Sequence, residues 1–367
     1  MTLPTPLLNG LLDIASNRPC RGLLDALDFL AAEQRTMLWQ VWWQIQAERN
    51  PSASAHLRTR LEALNEASQH RLLTAPEAWS LIHGTTLHRQ GENLNVLRGW
   101  IAAEELRAGL DNAKEYPSWS ALGDFDGAQD VGIRIPGEVV LDWRSPTALS
   151  RLMEIPGTAI PWEHHMAEQA VERVIEGMVL LRRCSSVWAE VVDRLVHTVV
   201  LCCDPSVAEA TSSTTRNALG RIVLRNPHLA EDAGVIADAL LHETIHILLD
   251  HAELAAPLLP EPEGEAAIES PWSGRRLDPN TFIQACFVWY GLFTLWLAAL
   301  RQSLVPVERA MGAIVRRAAG FCAAPSPQER LALYAATVHG VAPELIEVVA
   351  TMSRLVLAEL DDAGNGI

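Results

Sequence analysis

Asp232-Ala233-Gly234-Val235-Ile236-Ala237-Asp238-Ala239-Leu240-Leu241-His242-Glu243-Thr244-Ile245-His246-Ile247-Leu248-Leu249-Asp250-His251-Ala252-Glu253-Leu254 is the stretch on which the reading of this chain turns. No proline interrupts it, and its apolar residues recur at helical spacing, so it is expected to form one helix. Leu240, Leu241, Ile245, Ile247, Leu248 and Leu249 would bury that helix. His242 and His246 stand four apart and therefore emerge one turn apart on the same face. Two imidazoles so placed reach one metal ion, with Glu243 beside them to handle a proton. The plainer alternative is a pair of ordinary core or surface histidines on an amphipathic helix. The apolar frame and the mid-helix position favour the metal.

The same four-residue step continues to Asp238 on one side and Asp250 on the other. Carboxylates there are candidates to accept the second ring N–H of each histidine, which fixes tautomer and basicity; the competing reading is a solvated helix face. His251 lies five residues after His246, which rotates it off the shared face. The third ligand is not fixed by the motif. One protease group calls for a glycine and then a histidine where this chain has Leu249 and Ala252. Proteases with a glutamate ligand take it about twenty residues on, a distance near that of Glu265 and Glu269, here in a loop rich in proline and glycine.

Working outward, two apolar runs before the motif, His197 to Cys203 and Gly220 to Leu224, read as strands. Ser212 to Asn217 between them has turn chemistry. Short strands are also expected at Val131 to Ile135 and Val139 to Leu141, inside a glycine- and proline-rich region from Tyr116 to Pro161. Trp162 to Leu195 reads as one long amphipathic helix. Up to about Glu115 the chain is helical in pattern, at Leu23 to Gln46, Ala55 to Leu73, Ala75 to Arg89 and Leu94 to Lys114, with Asn50-Pro51-Ser52 as a stop and a new cap. After the motif, a loop from Pro257 to Pro271 leads to an apolar helix at Phe282 to Leu300. Three further helices follow at Pro306 to Ala319, Ser326 to His339 and Ala342 to Leu360. The expected fold class is α+β, mostly helical, with a small β-sheet preceding a metal-binding helix. The expected organisation is an N-terminal helical region over 1–117 and a metal-enzyme domain over 118–367.

Four features occur in order: the Ser212-Ser213 stretch, the strand Gly220-Arg221-Ile222-Val223-Leu224, His242-Glu243-Thr244-Ile245-His246, and Ser270-Pro271-Trp272-Ser273-Gly274-Arg275-Arg276, followed by an apolar helix. Together, over roughly Leu195 to Leu300, they resemble the HExxH-motif peptide-modification family of bacterial pathways for ribosomally made, modified peptides. Members of that family are similar to 2-oxoglutarate-dependent, non-haem iron peptide β-hydroxylases. The resemblance implies that His242 and His246 bind Fe(II), with Glu243 a neighbour rather than a proteolytic base. It implies 2-oxoglutarate and O2 as cosubstrates, with Arg275 or Arg276 holding the distal carboxylate through a charge-assisted pair. The alternative for these arginines is a surface ion pair with the glutamates of the preceding loop. The family's third-ligand position, a histidine on the helix after Ser-Pro-Trp, falls on Gln284, whose neutral amide is a poorer iron ligand. Glu263, Glu265 and Glu269 are the other candidates for that role. The implied partner is a precursor peptide, engaged through a leader segment, in the bacterial cytoplasm.

Two rivals stand beside the hydroxylase. One is a zinc metallopeptidase in which Glu243 acts as general base on a metal-bound water. The other is an inactive peptide-binding scaffold that lost its third ligand at Gln284.

The formal net charge of -16, with no Lys/Arg stripe, would repel a phosphate backbone, so nucleic acid is not an expected partner. Six cysteines show no Cys-x-x-Cys spacing, which fits a reducing compartment. The N-terminus lacks the basic and apolar regions of a secretory signal. Pro279 to Leu300 carries no charge and is long enough to span a bilayer, but Asn280, Thr281, Gln284 and Gly291 favour a buried core helix. Adjacent His164 and His165 point to different helix faces and are not expected to share a metal.

Overall fold

Thr198–Cys202 is buried at every position, and Arg221–Arg225 beside it at all but the last. That is how runs of valine, isoleucine and leucine behave in the middle of a sheet covered on both faces. The computed structural model describes residues 5–84, 90–110, 133–135, 139–143, 160, 162–260, 267–338 and 340–365. The fold is α+β and mostly helical, with a small mixed sheet. The helices are α1 (Thr5–Ala15), α2 (Arg21–Arg49), α3 (Pro51–Ala63), α4 (Glu66–Thr74), α5 (Pro76–Gly84), α6 (Gln90–Arg107), α7 (His164–Cys184), α8 (Ser186–Leu195), α9 (Ala233–Ala255), α10 (Pro279–Arg301), α11 (Val307–Ala318), α12 (Pro327–Ala335) and α13 (Pro343–Asn365). The strands are β1 (Ile133–Arg134), β2 (Val140–Asp142), β3 (Thr198–Cys202), β4 (Thr211–Thr214), β5 (Arg221–Arg225), β6 (Ile268–Glu269) and β7 (Arg276–Leu277).

Two compact units share these elements: one comprises Met1–Leu30, Gly177–Val192 and Leu240–Ile367, the other Ala31–Glu176 and Asp193–Ala239. The chain passes between them within α2, α7, α8 and α9. The boundary expected at 117/118 lies outside the described residues.

The second unit holds the five-stranded sheet in the order β1-β2-β3-β5-β4. β2, β3 and β5 run parallel, and both edge strands pair antiparallel. Ser212 to Thr214, expected as a turn, forms the edge strand β4 instead. Its hydroxyl side chains alternate in exposure, so an edge facing solvent suits them better than a core would. The turn chemistry is displaced to Thr215, whose side chain accepts from the Asn217 N–H at the 3₁₀ turn that follows. Gly220 ends that connection with a φ of +86°, and a Cβ there would lie 2.6 Å from the His197 ring, so glycine meets both requirements. Ion pairs from Arg60 to Glu105 and from Arg71 to Glu104 tie α3 and α4 to α6. Trp39, Trp42 and Trp43 cluster on α2, with ring centroids 4.8–6.2 Å apart.

In the first unit α10 forms the hydrophobic axis. Asp278 caps it, accepting from the Thr281 N–H at 3.0 Å, and Pro279 occupies its first turn. Among the described residues α10 is the helix long and apolar enough to cross a membrane, and 67% of that apolar window is buried within the chain. Tyr290 donates to the Ala15 carbonyl of α1 at 2.6 Å, and Arg301 pairs with Glu359 of α13. Two sequence expectations are corrected here. The long helix from Trp162 breaks at Ser185, whose hydroxyl accepts from the Trp188 N–H to start α8. The proline-rich loop after the motif ends in the hairpin β6–β7, which encloses Ser-Pro-Trp.

Candidate metal centre

His242 and His246 are both half-buried on α9, and their Nε2 atoms lie 3.2 Å apart. The helix delivers this because its four-residue step stacks the two rings, with centroids 4.9 Å apart. Ile245, between them in sequence, faces away and fixes the packing of the helix. A Cβ on Gly291 of α10 would stand 2.5 Å from Ile245 Cδ1 and 3.1 Å from the Trp188 ring. The absence of a side chain at Gly291 therefore leaves room for Ile245 and Trp188, and Gln284, two turns earlier on α10, reaches His246.

Gln284 meets the far side of His246. Its Oε1 accepts from His246 Nδ1 at 2.9 Å, and its Nε2 donates to Asp250 Oδ1 at 3.3 Å. Asp250, one turn beyond His246 and 6% exposed, is thus joined to the pair through the amide. Asp238, one turn before His242, is half-buried. Glu243 is buried, at 4% exposure. His251 turns away as its spacing implied, with Nδ1 donating to the Ile247 carbonyl of its own helix at 2.8 Å.

His242 is pushed down to about 4 by burial, with the neighbouring His246 and the cation of Arg317 acting in the same direction. It is therefore neutral at pH 7 and keeps a lone pair, the form in which imidazole binds metal. The donor set also passes a simple distance test. For two nitrogens each about 2.0–2.1 Å from a shared ion, the 3.2 Å separation corresponds to an N–metal–N angle of about 100°. Among the described residues no group of three or more His, Cys, Asp and Glu side chains is placed to hold a metal. The histidine pair fits an ion, and the described residues supply it with two imidazoles.

The other sequence candidates are distributed differently. Arg275 and Arg276 are exposed; Arg276 sits in β7 opposite Glu269 of β6. Glu269 is exposed as well and pairs with Arg330 at 3.4 Å. Glu263 and Glu265 lie outside the described residues. Trp272 of Ser-Pro-Trp is packed: it stacks on Trp289 at 5.7 Å, meets Phe321 edge-on at 5.0 Å, and donates from Nε1 to the Arg317 carbonyl at 2.9 Å. Arg317 itself is half-buried on α11, with its guanidinium 6.0 Å from the Trp289 ring centre and 5.9 Å from that of Trp296. Sequence reasoning missed it. Arg316-Arg317 at the end of an amphipathic helix looks like ordinary charge at a helix C-terminus, and only the packing of α11 on α10 separates the two.

Compared with protein-family models and with characterised proteins, the chain matches none.

Proposed function

We propose that this chain is a metal-dependent oxygenase of the HExxH peptide-modification type, hydroxylating a side-chain carbon of a ribosomally made peptide with Fe(II), 2-oxoglutarate and O2. The observation that carries the metal is the convergence of two imidazoles to 3.2 Å on one helix face, with His242 held neutral. The ordered features around it, from the Ser212-Ser213 strand to Ser-Pro-Trp, support the family reading. When bound, iron and 2-oxoglutarate would supply the oxidising power for attack on an unactivated C–H bond. The chain's part is to hold and orient. His242 and His246 would hold the ion, and the buried wall of Leu240, Leu241, Ile245 and Leu249 keeps water from their helix. Arg317 is the arginine best suited to a cosubstrate carboxylate, because it is partly desolvated against Trp289 and Trp296 and its charge reaches His242.

A zinc peptidase remains the second reading, favoured by Glu243 lying buried beside the pair. Anaerobic titration of metal-free protein with Fe(II) and 2-oxoglutarate separates the two. The oxygenase predicts a visible charge-transfer band that needs both components and disappears in His242→Ala. No band, with zinc retained through purification and a peptide backbone cut only while Glu243 is intact, would replace it with the peptidase. Wild-type protein that binds neither ion would leave the scaffold.

A further inference from the structure

We propose that Gln284 is a positioning residue for His246 rather than a metal ligand, and that Asp250 sets the direction of its amide. Hydrogen-bond chemistry fixes the order. A carboxylate only accepts, so the Gln284 NH₂ must face Asp250 Oδ1, 3.3 Å away. The amide oxygen then faces His246 Nδ1 at 2.9 Å, and since that oxygen can only accept, Nδ1 carries the proton. The neutral form of His246 is thereby locked with its lone pair on Nε2, the atom 3.2 Å from His242 Nε2. In the metal-free protein His242 completes the chain by donating its own Nε2–H into that lone pair. The two rings therefore hold opposite tautomers, and Asp250 imposes the polarity from one turn away.

This arrangement lets a neutral amide do what a carboxylate or carbonyl usually does behind a metal-bound histidine. It also accounts for a glutamine at a position where a ligand was expected: Gln284 bonds the ring nitrogen that faces away from the ion. The consequence for metal binding rests on the metal-centre reading above; the tautomer order does not.

Long-range ¹H–¹⁵N correlation of the imidazole rings in metal-free protein reads the tautomers directly. We expect Nδ1–H for His246 and Nε2–H for His242. Asp250→Asn frees the amide to turn, and Gln284→Met removes it; either should give His246 an Nε2–H population and weaken Zn(II) binding, measured with the metal alone, by about ten- to a hundredfold. Combining Asp250→Asn with Gln284→Glu restores an obligatory acceptor and should return both the tautomer and the affinity, a rescue that a packing role would not give. Unchanged His246 tautomers in both single variants would overturn the relay. Loss of zinc in Gln284→Met with the tautomer intact would make Gln284 a ligand and overturn it equally. The expected tautomers and their response in protein that binds no metal would sustain the relay and sink the metal centre instead.

Discussion

The motif helix α9 was singled out by its spacing and the Ser-Pro-Trp stretch of the hairpin β6–β7 by resemblance, and the fold treats them in opposite ways. On α9 the two histidines converge and are backed by Gln284 and Asp250. On the hairpin, Trp272 is packed into an aromatic cluster while Arg275 and Arg276 point to solvent. Helical periodicity fixes which residues meet, because both partners ride on one rigid element. A short hairpin fixes only its own register, and what its side chains reach depends on elements far along the chain. The packed residue of the hairpin does have a partner on another helix: Trp272 braces α11 through the Arg317 carbonyl.

The largest effect expected from this contrast falls on cosubstrate binding. Arg317→Gln should raise the dissociation constant for 2-oxoglutarate about ten- to a hundredfold, the loss of one charge-assisted pair. Arg275→Gln and Arg276→Gln should change it less than about twofold, since exposed charges contribute little. Equilibrium titration of the Fe(II) protein measures all three, and a reversed ranking would move the carboxylate site to the hairpin.

Next come two glycines, one for each region. A Cβ on Gly320 would stand 2.2–2.5 Å from the rigid Trp272 ring, whereas one on Gly291 meets the flexible end of Ile245 first. Gly320→Ala should cost about 1–3 kcal/mol in urea unfolding, and Gly291→Ala should fall at the lower end of that range. The second variant should also disturb the His246 ring signals, because Ile245, the residue before it, must shift to accept the methyl. A smaller loss is expected for Ser326→Ala, which removes the hydroxyl partner of Glu329 at the start of α12. The Ser326 hydroxyl and N–H hold the Glu329 carboxyl below its usual range. That contribution is present above the ordinary carboxylate pKa and disappears as pH falls through the lowered one, so the wild-type advantage should vanish in acid.

The weakest test concerns the thiols. Burial pushes Cys20, Cys184 and Cys202 up to about 11 and raises Cys286 further, while Cys322 is exposed. Native protein at pH 8 should be alkylated at Cys322 first, with the others reacting only on unfolding; mass spectrometry of the digest would show the order.

The α-helical frame, the apolar strands β3 and β5, and the histidine pair were legible because each depends on local periodicity or on a continuous apolar run. Residues Ser212 to Thr214 were not, since nothing local tells a hydroxyl-rich edge strand from a turn; pairing with β5 decides it. The helix break at Ser185 depends on a single side-chain cap. Gln284 was visible as a candidate but not in its position behind His246, because the two residues lie on different helices whose packing no local pattern encodes. Arg317 carried no signal beyond composition. Its environment is made of Trp289 and Trp296, which lie on a different helix.

The central claim is that α9 carries a metal centre, and titration of metal-free protein with Fe(II) or Zn(II), followed by metal analysis of the desalted complex, tests it most directly. The account predicts one ion bound per wild-type chain and none retained by His242→Ala or His246→Ala, with both variants still folded by circular dichroism. Wild-type protein that retains no ion, or variants that bind as tightly as wild type, would contradict it.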